Sequence, residues 1–142
     1  MRVALDTWLL YGLAEGRKDC LALLEREEEF VVSTLALFEI SRKCICQGRP
    51  QSADRILTLC RQLAEIVPVG INIAVRAARY ACGLNLSTAD AIILATAVEA
   101  GCPYLVSGNA HFNIAEEQGI IKMRTPASLL KEWEESDSTN VP

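Results

Sequence analysis

A single histidine, an aromatic content of 6% and no excess of positive charge exclude several chemistries before any motif is read. His111 is the only imidazole. With Cys44 and Cys46 two apart in an expected helix and so pointing to different faces, the usual zinc sets stay unfilled. Fourteen Lys and Arg against eighteen Asp and Glu give a formal charge of −4, so attraction of the whole molecule to nucleic acid is absent. A polyanion would need a local basic patch or a metal. The sparse aromatics, with Trp8 and Tyr80 as main candidates, give no support to sequence-specific reading by base stacking. Long apolar runs are missing too, and Asp6 interrupts the first ten residues too early for a signal-peptide core. The expectation is a cytoplasmic protein with no membrane segment. Repeats and low-complexity segments are absent.

The chain is 51% apolar and 23% charged over 142 residues, enough for one modest core. One domain is expected over residues 1–136, with 137–142 a frayed tail. The six cysteines, at 20, 44, 46, 60, 82 and 102, lie mostly in apolar stretches and fit a reducing compartment. Residues 2–6, RVALD, read as a buried strand ending in an acid, and Val31–Ser33 repeat that pattern. Further strands are expected in EIVPV, PYLVS and IIKM. Helical spacing predicts Trp8–Leu13, Asp19–Glu28, Thr34–Gln47 closed by Gly48, Asp54–Ala64 capped by Ser52, and Asn72–Cys82 stopped by Gly83. Ser87 opens another helix that Gly101 ends, a helical turn follows near Ala115–Gln118, and Pro126 starts a last helix to about Glu135. This alternation predicts an α/β fold: a three-layer α/β/α sandwich on a mostly parallel sheet.

Acids fall at three expected element junctions: Asp6 after a strand, Glu39 in the second turn of a helix, and Asp90 in the first turn of another. Each has an ordinary explanation. Asp6 can cap a helix, Glu39 can pair with Arg42 or Lys43, and Asp90 completes a capping box with Ser87. All three nonetheless sit beside a strand exit, the edge where α/β folds place their sites. Like charges held about 4 Å apart repel by roughly 4 kcal/mol at an effective dielectric near 20, and a divalent cation relieves this. Carboxylate oxygens without thiolate or imidazole favour Mg2+ or Mn2+, with phosphate the natural substrate group.

The segments DTWLL at Asp6, FE ending at Glu39, LSTADAIILATA around Asp90 and YLVSGNAHF from Tyr104 to Phe112 together resemble the PIN-domain family. The likeness is strongest to the toxin ribonucleases of bacterial and archaeal type II toxin-antitoxin pairs. It implies a mostly parallel sheet of about five strands and an endoribonuclease that uses Mg2+ or Mn2+, leaving 5′-phosphate and 3′-hydroxyl ends. Asp6, Glu39 and Asp90 become metal-binding catalytic acids, with Thr7 and Ser107 as supporting hydroxyls. It also implies a homodimer and a small DNA-binding antitoxin whose arm wraps the toxin. The chain departs from the pattern at Asn109, where the family commonly has an acid. Asn109 can meet a metal or its water through the amide oxygen without adding charge, or can simply form an Asx turn.

Arg42 and Lys43, one turn beyond Glu39, and Arg76 and Arg79, on the helix before LSTAD, are candidate RNA contacts or ordinary solvated faces. His111 is read as a surface group and Phe112 as an anchor for its loop. Phe38, Ile45, Leu57 and Leu63 exceed what a thin sandwich needs and suggest an interface. Three alternatives compete: an RNA-binding module with weak cleavage, a housekeeping RNA-processing nuclease, and a structural oligomer. Phosphatase and receiver readings fail at Asp6, which has neither a nearby second Asp nor a preceding acidic pair.

Overall fold

A computed structural model describes residues 1–139. Five strands form one all-parallel sheet in the order β3-β2-β1-β4-β5: β1 Arg2–Leu5, β2 Glu29–Ser33, β3 Ala64–Val67, β4 Tyr104–Val106 and β5 Lys122–Arg124. Helices α1 Thr7–Ala14 and α2 Lys18–Leu24 join β1 to β2, while α3 Thr34–Cys46 and α4 Pro50–Leu63 join β2 to β3. The chain then crosses back over β2 and β1 through α5 Ile71–Leu84 and α6 Thr88–Glu99. A 3₁₀ turn Ala110–Phe112 and α7 Asn113–Glu117 lead to β5, and α8 Pro126–Thr139 follows. Parallel crossovers are right-handed, so reversing the direction of travel at β3 places α5 and α6 on the face opposite α1 to α4. This is the expected three-layer architecture.

Burial on both faces explains why the strands are continuously apolar rather than alternating. Val3, Val31, Val32, Leu105 and Val106 are at most 1% exposed, and Leu94 of α6 and Leu129 of α8 close the two sides. The register aligns Leu5 with Val32 on one side and with Val106 on the other. The next residues, Asp6, Ser33 and Ser107, therefore leave the sheet at one carboxyl edge, and all three are buried.

Several boundaries differ from the sequence reading for identifiable reasons. α2 ends at Leu24 rather than Glu28, because the acidic cluster is already turning into β2, where Glu28 meets the Met1 ammonium at 3.0 Å and Glu29 meets Arg2. Pro50 itself opens α4, a position where its missing N–H costs nothing, so Ser52 lies inside the helix. α5 runs through Gly83 and stops at Asn85, which takes the left-handed conformation at φ 54°. Gly48 and Gly101 end their helices with φ of 72°, as their placement predicts. β5 starts at Lys122, two residues later than expected, and α8 reaches Thr139. Part of the expected tail, residues 140–142, lies outside the described residues.

Asn85 supplies a direct test of the α5 stop. Glycine adopts the left-handed region freely, whereas a β-branched residue there costs about 1 to 2 kcal/mol. Urea melts should place Asn85→Gly within about 0.5 kcal/mol of wild type and Asn85→Val clearly below it.

Candidate active site

Asp6 is the first residue past β1, and its backbone N–H still donates to Val106 O at 3.1 Å, which fixes it between β1 and β4. Its carboxylate is 4% exposed. Oδ1 accepts the Thr7 N–H at 2.8 Å, and Oδ2 accepts the Ser107 hydroxyl at 2.6 Å. Ser107 Oγ in turn accepts the Asn109 N–H at 2.9 Å, so one hydroxyl ties the end of β4 to the acid and shapes the loop after it. Asp6 thus caps α1 and also faces the cleft.

Glu39 reaches the same place from α3, which starts directly at the end of β2 with Ser33 Oγ accepting the Leu35 N–H. The expected ion pair with Arg42 or Lys43 does not form among the described residues. Glu39 Oε1 instead accepts the Thr7 hydroxyl at 2.8 Å. Asp90 arrives from α6. Ser87 Oγ accepts the Asp90 N–H at 3.2 Å, but the reciprocal bond from the Ser87 N–H to the carboxylate is absent among the described residues. Half a capping box leaves the Asp90 side chain free to turn to the cleft. Asn109 accepts the His111 N–H through Oδ1 at 3.0 Å, an Asx turn that caps the 3₁₀ turn. Phe112 is fully buried and anchors that turn.

Asp6, Thr7, Glu39, Asp90 and Asn109 line one cleft of about 310 Å³, with Trp8 and Tyr11 as its aromatic wall. Burial pushes the Asp6 carboxyl up to about 6, and the charge of Asp90 adds to this against the hydrogen bonds from Ser107 and Thr7. Burial and the charges of Glu39 and Asp6 also raise the Tyr11 phenol. The sequence reading missed Tyr11, although it stands one helical turn after Thr7 and so shares its face. Among the described residues, no Lys or Arg pairs with any of the three acids. Only His111, 79% exposed, approaches, with Nδ1 3.8 Å from Asp90 Oδ2.

The candidate cations lie elsewhere. Lys43 Nζ sits 3.9 Å from the centre of the Tyr11 ring at the cleft wall, and the Arg42 guanidinium lies over Phe38. Arg76 is drawn away: its Nε donates to Glu99 at 2.6 Å and its Nη1 to the Tyr80 hydroxyl. Glu99 is nine residues beyond Asp90, roughly 13 Å along α6. Arg79 is exposed on the same helix as Arg76. Arg76 is therefore paired with Glu99 and the Tyr80 hydroxyl, whereas Arg79 keeps an exposed position.

No three His, Cys, Asp or Glu side chains among the described residues converge tightly enough to enclose a metal ion. The donor set still fits a hard cation. Mg2+ keeps several waters and takes one or two carboxylates, and here three acids share a cleft without a basic partner. Asp6 and its neighbours suit a hydrated ion held at an open site rather than a closed carboxylate cage.

A five-stranded parallel sheet with acids gathered at its carboxyl edge defines a compact class of α/β domain. The chain belongs to the PIN-domain family, whose model matches residues 3–117. Solved structures with this fold include a toxin-antitoxin complex from Klebsiella pneumoniae, 25% identical, with a TM-score of 0.69 over 87% of this chain and 97% of that one. VapBC2 from Rickettsia felis, bound to a DNA fragment from its promoter, is 16% identical with a TM-score of 0.71, covering 88% and 98%. Mycobacterium tuberculosis VapC20, a sarcin-ricin loop cleaving toxin, is 15% identical with a TM-score of 0.69, covering 80% and 94%. At the last two identities the likeness is one of fold. No curated protein matches the sequence significantly.

Two outcomes test this geometry. A carboxyl raised from 3.8 to about 6 favours the fold while neutral, so its contribution is complete below pH 4 and lost as pH rises through 6. Above that, ionised Asp6 burdens the metal-free fold by about 3 kcal/mol. In EDTA at pH 8, Asp6→Asn should unfold at higher urea than wild type, and the gap should close as pH falls toward 4. The second outcome concerns Gly108, where an added Cβ would lie 2.3 Å from the Trp8 ring. Gly108→Ala should cost about 1 to 3 kcal/mol by overpacking, and the double variant Trp8→Leu with Gly108→Ala should show a smaller cost for the added methyl than the single variant does.

Proposed function

We propose that this protein is an Mg2+- or Mn2+-dependent endoribonuclease and the toxin of a type II toxin-antitoxin pair acting in the cytoplasm. The observation that carries the reading is the cleft that Asp6, Glu39 and Asp90 line together without a Lys or Arg partner among the described residues. When bound there, a divalent cation would offset the acids' charge, activate a water and balance charge growing on the phosphodiester. Asp6, Glu39 and Asp90 would hold it, directly or through water. Asn109 has one amide oxygen committed to the His111 N–H and adds no charge, which favours a single ion over two.

The remaining residues position these groups. The Ser107 hydroxyl and Thr7 N–H fix both Asp6 oxygens, and the Thr7 hydroxyl fixes Glu39, so the acids need little reorganisation to receive a ligand. Lys43, held over Tyr11, stands at the wall of the cleft and supplies positive charge to an arriving phosphate. Arg42 and Arg79 are exposed and available to the RNA backbone. His111 contributes no proton transfer in this scheme.

Partners follow from the same reading. The structures of similar fold include toxin-antitoxin complexes, and the proposed antitoxin is a small DNA-binding protein with an arm that covers the acids. Phe38 and Ile45 on α3 and Leu63 at the end of α4 remain 56%, 59% and 41% exposed. They suit an interface in a homodimer or with the antitoxin. Leu57 is half-buried and contributes less.

A second reading, an RNA-binding module with weak cleavage, draws on the neutral Asn109. The two part on one experiment: a mixed RNA pool incubated with Mg2+, with Mn2+ and with EDTA, repeated with Asp6→Asn, Glu39→Gln and Asp90→Asn. The nuclease reading expects cleavage with metal only and a loss of about 100-fold or more in each variant. Metal binding by calorimetry without cleavage supports the module, and cleavage that survives all three substitutions overturns the site.

A further inference from the structure

We propose that the cavity on the far side of Asp90 from Asp6 is a base-binding subsite, which takes the nucleobase of an RNA nucleotide next to the phosphodiester at the acids. The inference rests on the nuclease reading and names how its substrate is held. The cavity, of about 500 Å³, lies between the α5–α6 junction and the 3₁₀ turn, and Asp90 is the wall it shares with the acid cleft. That volume falls within the roughly 300–1,000 Å³ usual for small-molecule pockets. The two openings adjoin, so a strand with one phosphate at the acids can reach this cavity with its neighbouring nucleotide.

The lining has two kinds of surface. Leu84, Leu86 and Ile114 form an apolar floor in which Leu86 is buried and the other two are half-buried. Around the mouth stand the exposed Asn85 amide, the Ser87 hydroxyl and the imidazole of His111. A flat ligand with apolar faces and a hydrogen-bonding edge satisfies both, and an unstacked base is such a ligand. A phosphate is a poor occupant, because no Lys or Arg lines the cavity and Asp90 repels it. A purely apolar side chain would leave the polar mouth unused.

Asn85 strengthens the assignment. Its backbone sits in the left-handed region, a requirement that glycine meets more easily. The asparagine amide makes no hydrogen bond within the described residues, so its acceptor and donor are both free for a base edge. His111 adds an exposed ring at the cavity rim: its backbone N–H is bonded to Asn109 and its Nδ1 stands 3.8 Å from Asp90 Oδ2, which leaves the ring faces open to stack.

The test maps methyl resonances of Leu84, Leu86 and Ile114 in the full chain with Ca2+, a hard cation of the same charge. Hexaribonucleotides of A, C, G or U are compared with an abasic ribose-phosphate hexamer. At least one base-bearing oligomer should move these resonances and the abasic one should not. His111→Ala should reduce the preference for the base-bearing over the abasic oligomer by about tenfold, and Ile114→Trp, which fills the cavity, should abolish it. In the RNA pool, Asn85→Gly should change the ranking of bases beside the cut sites while preserving the fold. Methyl shifts that are equal with the abasic hexamer, or absent with every oligomer, overturn the subsite, as does an unchanged ranking in all three variants. If wild type cuts no RNA with either metal, the nuclease reading fails instead, and the methyl map still decides whether the cavity holds a base.

Discussion

The hydrogen bond from Ser107 to Asp6 is the contact on which the rest of the site depends. It joins the end of the central strand β1 to that of its neighbour β4, and it places a carboxylate where burial works against charge. Desolvation of an anion is costly unless something opposite in sign or a set of donors offsets it. Here two donors do so in part, and the Asp6 carboxyl still rises well above its ordinary range. Thr7 extends the arrangement, with its N–H on Asp6 and its hydroxyl on Glu39, so a single dipeptide couples two acids from different elements.

Three cations near the cleft stand over aromatic faces, Arg17 while also bonded to Asp19, and among the described residues none pairs with the site acids. Arg17 lies over Trp8, Lys43 over Tyr11 and Arg42 over Phe38. A ring face attracts a cation by roughly 0.5–1 kcal/mol at exposed sites. Such a hold keeps positive charge at the rim without neutralising the carboxylates inside. In a chain whose few aromatics give no support to base stacking, Trp8 and Tyr11 serve instead as faces for cations.

Much of the fold was legible because local signals agreed with the tertiary answer. Ser33 and Ser87 cap their helices, Gly48 and Gly101 close theirs, and the apolar strands lie in a sheet covered on both faces. The discrepancies arose where two signals competed. At Pro50 and Ser52 a fixed φ and a hydroxyl both mark a helix start, and the proline prevailed. At Gly83 and Asn85 two left-handed formers stand two apart, and packing of α5 on α6 carried the helix past the first. In the site, residue types and their place at strand exits showed which acids share a cleft. The partners did not show, because Thr7 and Glu39 are 32 positions apart and Arg76 had an unsuspected rival in Glu99. Such pairings are properties of the assembled fold.

The sheet order has a bearing on how the molecule comes into being. β1 leads the chain yet lies at the centre of the sheet, and its neighbour β4 is about a hundred residues further on. Contacts so distant in sequence close late and make for slow folding. A nascent chain that has left the ribosome only as far as α6 has a free β1 edge and no hydroxyl for Asp6. Assembly of the sheet and of its acid cleft is therefore one event, which waits for β4 to pair with β1.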